Sequence, residues 1–478
     1  MSYLTRIRPR YAAAAIMLAV VATLAGNAAA LAAGGGHPSA PPTAGTDWST
    51  YQHDNAHTGF QPSDPAINAS SVGTLAPKWI FRANDSISSQ AIAANGLIYW
   101  GSWDGLEHAT NPVTGTDVWT TYLGDETKTD CSPPHLGVAS TATVATVRIH
   151  GRNTQVLFVG GGDGSYYALN ANTGNVIWAH FFGSPQQGYF MWSSPALFNG
   201  SIYVGIASIG DCPLIPGELV KLNAANGAQQ AAFATTPPGC PGAGIWSSPT
   251  IDQSTGDVYV STGTDGGGFC GQPEPYAQAV LQFTRDLTLI GSWKPPQPQQ
   301  IIDGDFGGTP TLFSAAINGT TQQLVGAANK NGIYYAFNRA NVGTGPVWES
   351  QPISTSPDTI ASSAWDGTNL YVAGHNTTIN GTNCESNIRA IDPSTGAFLW
   401  SDCLSGGGAE GAVTAVPGVV FEGLGSILYG VNSATGQVLF QFQDTSFHWF
   451  YSPAMISNGA LYIGNSDGNF YKFTPGGQ

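Results

Sequence analysis

A few carboxylates, one lysine and two tryptophans have the types and neighbours that chemistry needs. Asp305 lies in DGDFGGTPTLF (Asp303–Phe313), and Lys330 lies in LVGAANKNGIYYAFNR (Leu324–Arg339), directly before Asn-Gly. A carboxylate can take a proton from a reacting hydroxyl, and a fixed ammonium can stabilise negative charge that develops beside it. Taken alone, Asp305 is also what an Asp-Gly surface turn would hold, and Lys330 what an Asn-Gly hairpin would hold. Trp246 and Trp192 each open a Trp-Ser-Ser-Pro phrase. Either can offer a flat stacking face, and either can be plain core. Asp211 and Asp265 are further carboxylates, read equally well as cation ligands or as turn residues beside cysteines. His53 and His57 flank Asp54; packing of this segment against the last structural repeat is expected, ahead of metal binding. GGGDGS (Gly160–Ser165) reads as a strand-end turn, not a phosphate loop, and no Ser-His-Asp arrangement has a recognisable local context.

What must position these groups is a phrase that recurs along the chain. ALNANTGNVIW (Ala168–Trp178) returns as AIDPSTGAFLW (Ala390–Trp400), ATNPVTGTDVW (Ala109–Trp119) and GVNSATGQVLF (Gly430–Phe440), with looser copies at Lys221–Phe233 and Ala336–Trp348. Each follows a short apolar strand such as GSIYVG (Gly200–Gly205). A repeat of this length decides the architecture before any local motif does. Its Thr-Gly suits a turn with positive φ, and its final aromatic can wedge between neighbouring sheets. The closing aromatics are Trp79, Trp119, Trp178, Phe233, Trp293, Trp348, Trp400 and Phe440. Their spacing is that of propeller blades. The last unit, Tyr451–Phe473, lacks a closing strand, and Leu75–Phe81 lacks the strands before it. Together they complete one blade. The expectation is all-β: an eight-bladed β-propeller closed by pairing the N-terminal strand with the last blade, over residues 47–478. Ile206–Gly217, Thr264–Ala277 and Ala373–Ser386 are expected to be long loops, where function concentrates.

The N-terminus carries Arg6, Arg8 and Arg10, an apolar run from Tyr11 to Leu24, and a small-residue exit around Ala30-Leu31-Ala32. That is the layout of a secretory signal, here residues 1–33, followed by a flexible linker over 34–46. The same stretch would also serve as an uncleaved anchor; after cleavage no membrane span is expected. Only 9% of residues are charged, and the formal net charge is −15. Losing three arginines makes the remaining chain more acidic still, so nucleic acid is a poor partner and neutral or cationic small molecules fit better. Six cysteines in an exported chain imply disulfides. Cys384 and Cys403 flank one hairpin and are expected to pair; the other pairings stay open. Cys-x-x-Cys-His is absent, so c-type haem attachment is not expected.

With these residues in view, the chain resembles the quinoprotein dehydrogenases that use pyrroloquinoline quinone. The AxDxxTGxxxW phrase is similar to that family's tryptophan-docking motif. DWSTYQHDNAHTGF (Asp47–Phe60) and INASSVGTLAPKW (Ile67–Trp79) resemble the polyvinyl-alcohol-dehydrogenase type. The resemblance implies Asp305 as the base that takes the hydroxyl proton as hydride leaves carbon, with Lys330 polarising the quinone. It implies Trp246 beneath the cofactor, with Trp192, Thr264 and Trp449 as further cofactor-binding candidates. It implies Ca²⁺ on Asp211, Asp265 and Asp305, two of them one residue away from the family's ligand positions.

Several positions depart from the pattern. Where many members have two adjacent cysteines, this chain has Cys131 followed by Ser132; Leu136 replaces an arginine, with His135 beside it, and Ser88 a glutamate. The function implied is an exported, secreted or periplasmic dehydrogenase. It would oxidise a small-molecule or polymeric alcohol and pass electrons to a separate acceptor. The alternative is a cofactor-free propeller serving as a binding or assembly module.

Overall fold

The repeat phrase folds into the outer two strands of a twisted antiparallel sheet. In ALNANTGNVIW, strands Ser165–Asn170 and Val176–Phe181 pair Ala168 with Trp178 and Leu169 with Val176, and the register shifts between these pairs. Gly174, at the turn, takes φ +72°, and an added Cβ there would stand 2.6 Å from the Trp119 ring of the preceding sheet. Only glycine meets both demands. The ring is fixed by its own N–H: Trp119 Nε1 donates to Ala171 O at 2.9 Å. Trp178 repeats this on Gly227 and Ala224 O, Trp348 on Gly396 and Pro393 O, and Trp400 on Gly436 and Ser433 O. The phrase is therefore a docking device: its last residue closes one sheet, and its middle receives the aromatic of the sheet before.

The computed structural model describes residues 46–268, 270–355 and 360–478. The expected signal segment and linker lie outside these residues, apart from Thr46. Among the described residues, eight sheets form the ring. From inner to outer strand, blade 1 is Ile92–Ala94, Leu97–Gly101, Leu106–Thr110 and Asp117–Tyr122. Blade 2 runs from Thr143–Ile149 to Val176–Phe181, and blade 3 from Ala196–Phe198 to Gln229–Ala234 with Tyr189–Phe190 added. Blade 4 runs from Thr250–Ile251 to Leu289–Trp293, and blade 5 from Thr311–Ile317 to Pro346–Glu349. Blade 6 runs from Ala364–Trp365 to Phe398–Leu404, and blade 7 from Thr414–Val416 to Val438–Gln443. Blade 8 takes Met455–Ser457, Ala460–Gly464 and Asn469–Pro475 from the end of the chain and Leu75–Arg82 from its beginning. Trp79 pairs with Lys472 across that closure, as expected from the sequence. The eight closing aromatics all lie on outermost strands.

Near the axis, a belt of side-chain hydroxyls ties the inner strands. Backbone N–H groups of Gln90, Thr141, Ser194, Ser248 and Thr309 each donate to the Ser or Thr hydroxyl of the next blade, at 2.8–3.0 Å. Ser194 and Ser248 of this belt come from Ser-Pro phrases. A chain segment, Thr46–Gln61, plugs one end of the axis. Its backbone and side chains bond blade 1 at Ala93, blade 2 at Val144, blade 3 at Leu197, blade 4 at Ile251, blade 5 at Leu312, blade 6 at Trp365, blade 7 at Ala415 and blade 8 at Ile456.

The segment with His53 and His57 thus touches every blade, which corrects the expectation of packing on the last one alone. His57 is buried, with Nδ1 2.8 Å from Thr250 Oγ1, and burial pushes its imidazole down to about 4. Ala373–Ser386 is also corrected: it is mostly the paired strands Leu370–Ile379 and Thr382–Ile391, a long hairpin. Ile206–Ser208 likewise belongs to a strand. Polar residues such as Asn376 and Asn380 mask the strand pattern there.

Antiparallel order puts the Thr-Gly turns on the face of the ring that holds the plug. The connections from each outer strand to the next blade, and the turns between second and third strands, fall on the other face. Asp305, Lys330 and Trp246 all sit in such connections and turns.

Candidate functional site

On that second face the axis opens into a cavity of about 600 Å³. Tyr51 of the plug reaches its wall, with the hydroxyl 3.3 Å from Ser362 Oγ. The belt hydroxyls of Thr141, Ser194, Ser248, Thr309 and Ser362 are exposed to the same space. One end of the channel is sealed by the plug, and the other carries the reactive groups.

Asp305 precedes blade 5 and is 5% exposed. Its segment is locked: Phe306 is fully buried, Lys330 N donates to Asp305 O at 2.8 Å, and Asn329 Nδ2 donates to Gly304 O at 2.6 Å. Lys330 Nζ lies 3.3 Å from Asp305 Oδ2 and 2.9 Å from Asp303 Oδ2. Burial pushes the Asp305 carboxyl up to about 7; Lys330 pulls it back, while Asp303 and Asp211 push further. Burial opposes the charge on Lys330, yet Asp305 and Asp303 hold the ammonium above its ordinary range. The other oxygen, Asp305 Oδ1, is buried without a hydrogen-bond partner. An unpaired carboxylate oxygen is costly in a protein interior. It stands ready for a proton, a hydroxyl or a cation.

Trp246 is half-buried in the wall, with Lys330 Nζ 5.8 Å from its ring centroid. Gly307 and Gly263 let the backbone close on its edge: added Cβ atoms would stand 2.7 Å from Cη2 and 3.1 Å from Nε1. Trp192 also lines the cavity, but its Nε1 is spent on Ser208 O at 3.1 Å. Thr264 lines it too. Asp211 lies in the wall, and burial, then Asp303, raise its carboxyl, with Lys330 opposing. Asp305, Lys330, Trp246, Trp192, Thr264 and Asp211 are thus brought together.

Two candidates are not. Asp265 is exposed, accepts from Gly267 N at 2.9 Å as a turn residue, and is outside the wall. Trp449 is not in the wall itself; it packs edge-on against Tyr451, which is, at 6.1 Å.

The departures acquire partners. Cys131 is bonded to Cys212, so two loops meet beside Ser132, Gly210 and Asp211 in the wall. Cys240 pairs with Cys270, and Cys384 with Cys403 as expected. His135 lies between Asp85 and Asp125, at 2.7 and 3.0 Å. Burial opposes its protonation, but the two acids raise it overall. Leu136 is fully buried, and Ser88 Oγ accepts from Trp103 Nε1 at 2.8 Å. Sequence reasoning passed over Asp303, Trp103, Tyr451 and Glu410. The last three line the cavity.

The donor set fits a planar, polyanionic quinone with a divalent cation. Trp246 offers a flat face, the belt offers hydroxyl donors, and Lys330 offers an ammonium. The orphaned Asp305 oxygen and Asp211 offer hard ligands.

Residues 48–187 match the family model described as "Glucose/ethanol/alcohol dehydrogenase, beta-propeller domain". A polyvinylalcohol dehydrogenase from Pseudomonas sp is 25% identical over 450 residues, covering 84% of this chain and 68% of the relative. A second, from Sphingopyxis sp., is 24% identical, covering 90% of this chain and 65% of the relative. The chain thus spans about two thirds of the length of these relatives. Among solved structures, the quinohemoprotein alcohol dehydrogenase from Comamonas testosteroni superposes with a TM-score of 0.72 at 17% identity, over 91% of this chain and 81% of that one. BamB from Moraxella catarrhalis superposes with a TM-score of 0.54 at 14% identity. At such identities these two likenesses show the fold alone. The matched segment is thus similar to alcohol-dehydrogenase propellers, and the relatives that span most of the chain are polyvinylalcohol dehydrogenases.

Proposed function

We propose that this propeller is an alcohol dehydrogenase dependent on pyrroloquinoline quinone. The observation that carries the reading is Asp305: buried, poised near 7, bound through one oxygen to Lys330 and left with the other oxygen unpartnered in the cavity. Trp246 would hold the cofactor, with Thr264 also in the wall, while Trp192 is held by its bond to Ser208. Pyrroloquinoline quinone, when bound, supplies a two-electron acceptor. Asp305 accepts the hydroxyl proton of the alcohol at its free oxygen, a role that needs a base close to working pH. Lys330 holds Asp305 in place and presents positive charge to the cavity. Asp211 would be the carboxylate offered to a divalent cation such as Ca²⁺, which leaves the free oxygen of Asp305 for the proton.

The sealed end of the channel gives substrate one approach, over the rim formed by Trp103, Pro133 and Tyr451. Electrons leave to a separate acceptor. Three disulfides and the relatives' likeness support an extracytoplasmic site of action. The experiment is direct: load the purified protein with pyrroloquinoline quinone and Ca²⁺, titrate Trp fluorescence, and follow dye reduction with a panel of small and polymeric alcohols. Saturable quenching with turnover, lost in Asp305→Asn, is expected. The absence of both quenching and turnover would refute the reading.

A further inference from the structure

The rim across the cavity from Asp305 carries side chains with no part in the proton and electron chemistry. Trp103, from blade 1, and Tyr451, from the connection into blade 8, both line the cavity, and their rings lie 6.4 Å apart at an interplanar angle of 13°. Trp449 meets Tyr451 edge-on. Glu410, from the connection into blade 7, also lines the cavity. Glu410 Oε1 and Trp449 Cζ3 both border Gly408, 3.3 and 3.2 Å from where a Cβ would stand, so carboxylate and indole flank the same glycine. Burial, and then the charge of Glu410, raise the phenol of Tyr451. In an eight-membered ring, blade 1 stands opposite blade 5, which carries Asp305 and Lys330.

We propose that Trp103, Tyr451 and Glu410, with Trp449 packed behind Tyr451, form a subsite for an alkylammonium group, and that the substrate is an alcohol bearing such a cation. The reaction assigned to that substrate rests on the dehydrogenase reading; the binding does not. The faces of indole and phenol rings carry negative electrostatic potential and attract an alkylated ammonium, which sheds water easily. A neighbouring carboxylate adds a full charge at short range. The rest of the wall points the same way. Lys330 is the cationic side chain among the described wall residues, and Asp303 and Asp305 engage it. Asp211, Asp305 and Glu410 are acids, in a chain of formal charge −15. At this rim, away from Lys330, the carboxylate of a hydroxy acid would meet Glu410, a neutral alcohol would gain no charge complement, and the ammonium of an amino alcohol would gain one. With its hydroxyl at Asp305, such a molecule presents its far end to the opposite rim.

The test uses a matched pair of probes: choline and 3,3-dimethyl-1-butanol, in which carbon replaces the quaternary nitrogen. Binding of each to the purified protein is measured by calorimetry and Trp fluorescence, first without added cofactor. Choline is expected to bind about tenfold more tightly than its neutral twin. That preference should shrink as salt is raised, and it should fall towards unity in Glu410→Gln and in Tyr451→Leu. Equal binding of the two probes, tighter binding of the neutral one, or no saturable choline binding would overturn the proposal. So would a preference that survives both folded variants. If the variants do not fold, the salt dependence in the unaltered protein decides. The two readings fail separately. Absence of dye reduction with pyrroloquinoline quinone removes the dehydrogenase while leaving the choline preference intact. Turnover of simple alcohols without any choline preference removes the subsite alone.

Discussion

Lys330 is tied to Asp305 twice: its backbone N–H donates to the Asp305 carbonyl at 2.8 Å, and its ammonium lies 3.3 Å from Asp305 Oδ2. The backbone bond fixes where the chain passes, and the ion pair fixes the charge. A carboxyl buried in the wall, pushed up to about 7 and left with one free oxygen, is poorly suited to stabilising a fold and well suited to exchanging a proton.

Activity should therefore rise with pH through about 7, as Asp305 loses its proton. Asp305→Asn should lower kcat by about 10²–10⁴-fold. Stability should move the other way. The folded-state value lies above the ordinary 3.8, so the folded protein holds the proton more tightly than the unfolded chain. The resulting stabilisation is present below about 4 and is lost as pH rises towards 7. At pH 8 the Asn variant should be more stable by up to about 4 kcal/mol, and no more stable at acid pH. Denaturant melts of both proteins at the two pH values check this; equal midpoints at pH 8 would mean that Asp305 is not a buried, strained acid.

Lys330→Gln removes the group that pulls Asp305 down, so the acid limb of the pH–rate profile should move to higher pH. The rate on the plateau should also fall, by about 10²–10³-fold, because the ammonium no longer faces the cavity. Lys330→Arg should restore the position of the limb better than the rate, since a planar guanidinium cannot take the place of a compact ammonium. A profile measured across pH 5–9 separates the two effects.

The docking phrase makes a prediction confined to the scaffold. Trp178→Phe keeps most of the buried area but loses the Nε1 bond to Ala224 O, so it should cost about 1 kcal/mol. Gly227→Ala should cost about 1–3 kcal/mol, since φ is +69° and the new methyl would stand 2.6 Å from Trp178 Cε3. Catalysis per folded molecule should not change in either, because this turn lies on the face of the ring away from the cavity. A lowered kcat in a fully folded variant would contradict that separation of faces.

The same separation explains what the sequence could disclose. Docking is local: Trp119 meets Gly174 of the next blade, and the phrase recurs with little change in spacing, so blade number and closure were legible. Cys384 and Cys403 flank one hairpin and pair across it. Cys131 and Cys212 are 81 residues apart and belong to loops of different blades, so their pairing depends on ring closure. Asp305, Lys330 and Trp246 were legible only through resemblance; their residue types suit a turn or a core equally well. Trp103, Tyr451 and Glu410 come from three different blades or connections and converge only around the axis. The plug was misread for the same reason: the partners of Thr46–Gln61 are spread over the entire ring.

The Cys131–Cys212 bridge should act on the cavity as well as on stability. It joins the loop carrying Ser132 and Pro133 to the loop carrying Gly210 and Asp211, and all four residues are in the wall. Chain-entropy arguments assign a crosslink across 81 residues about 4 kcal/mol. The double variant Cys131→Ser/Cys212→Ser should therefore melt lower. It should also bind divalent cations more weakly, because Asp211 would no longer be held beside Asp303 and Lys330. Cys384→Ser/Cys403→Ser is the control, since that bridge closes a hairpin away from the cavity wall. It should lose stability without losing cation affinity. Calorimetric Ca²⁺ titrations of both variants, at a temperature where both are folded, distinguish a bridge that shapes the site from one that only staples the chain. Equal cation affinities would assign Cys131–Cys212 to the scaffold alone.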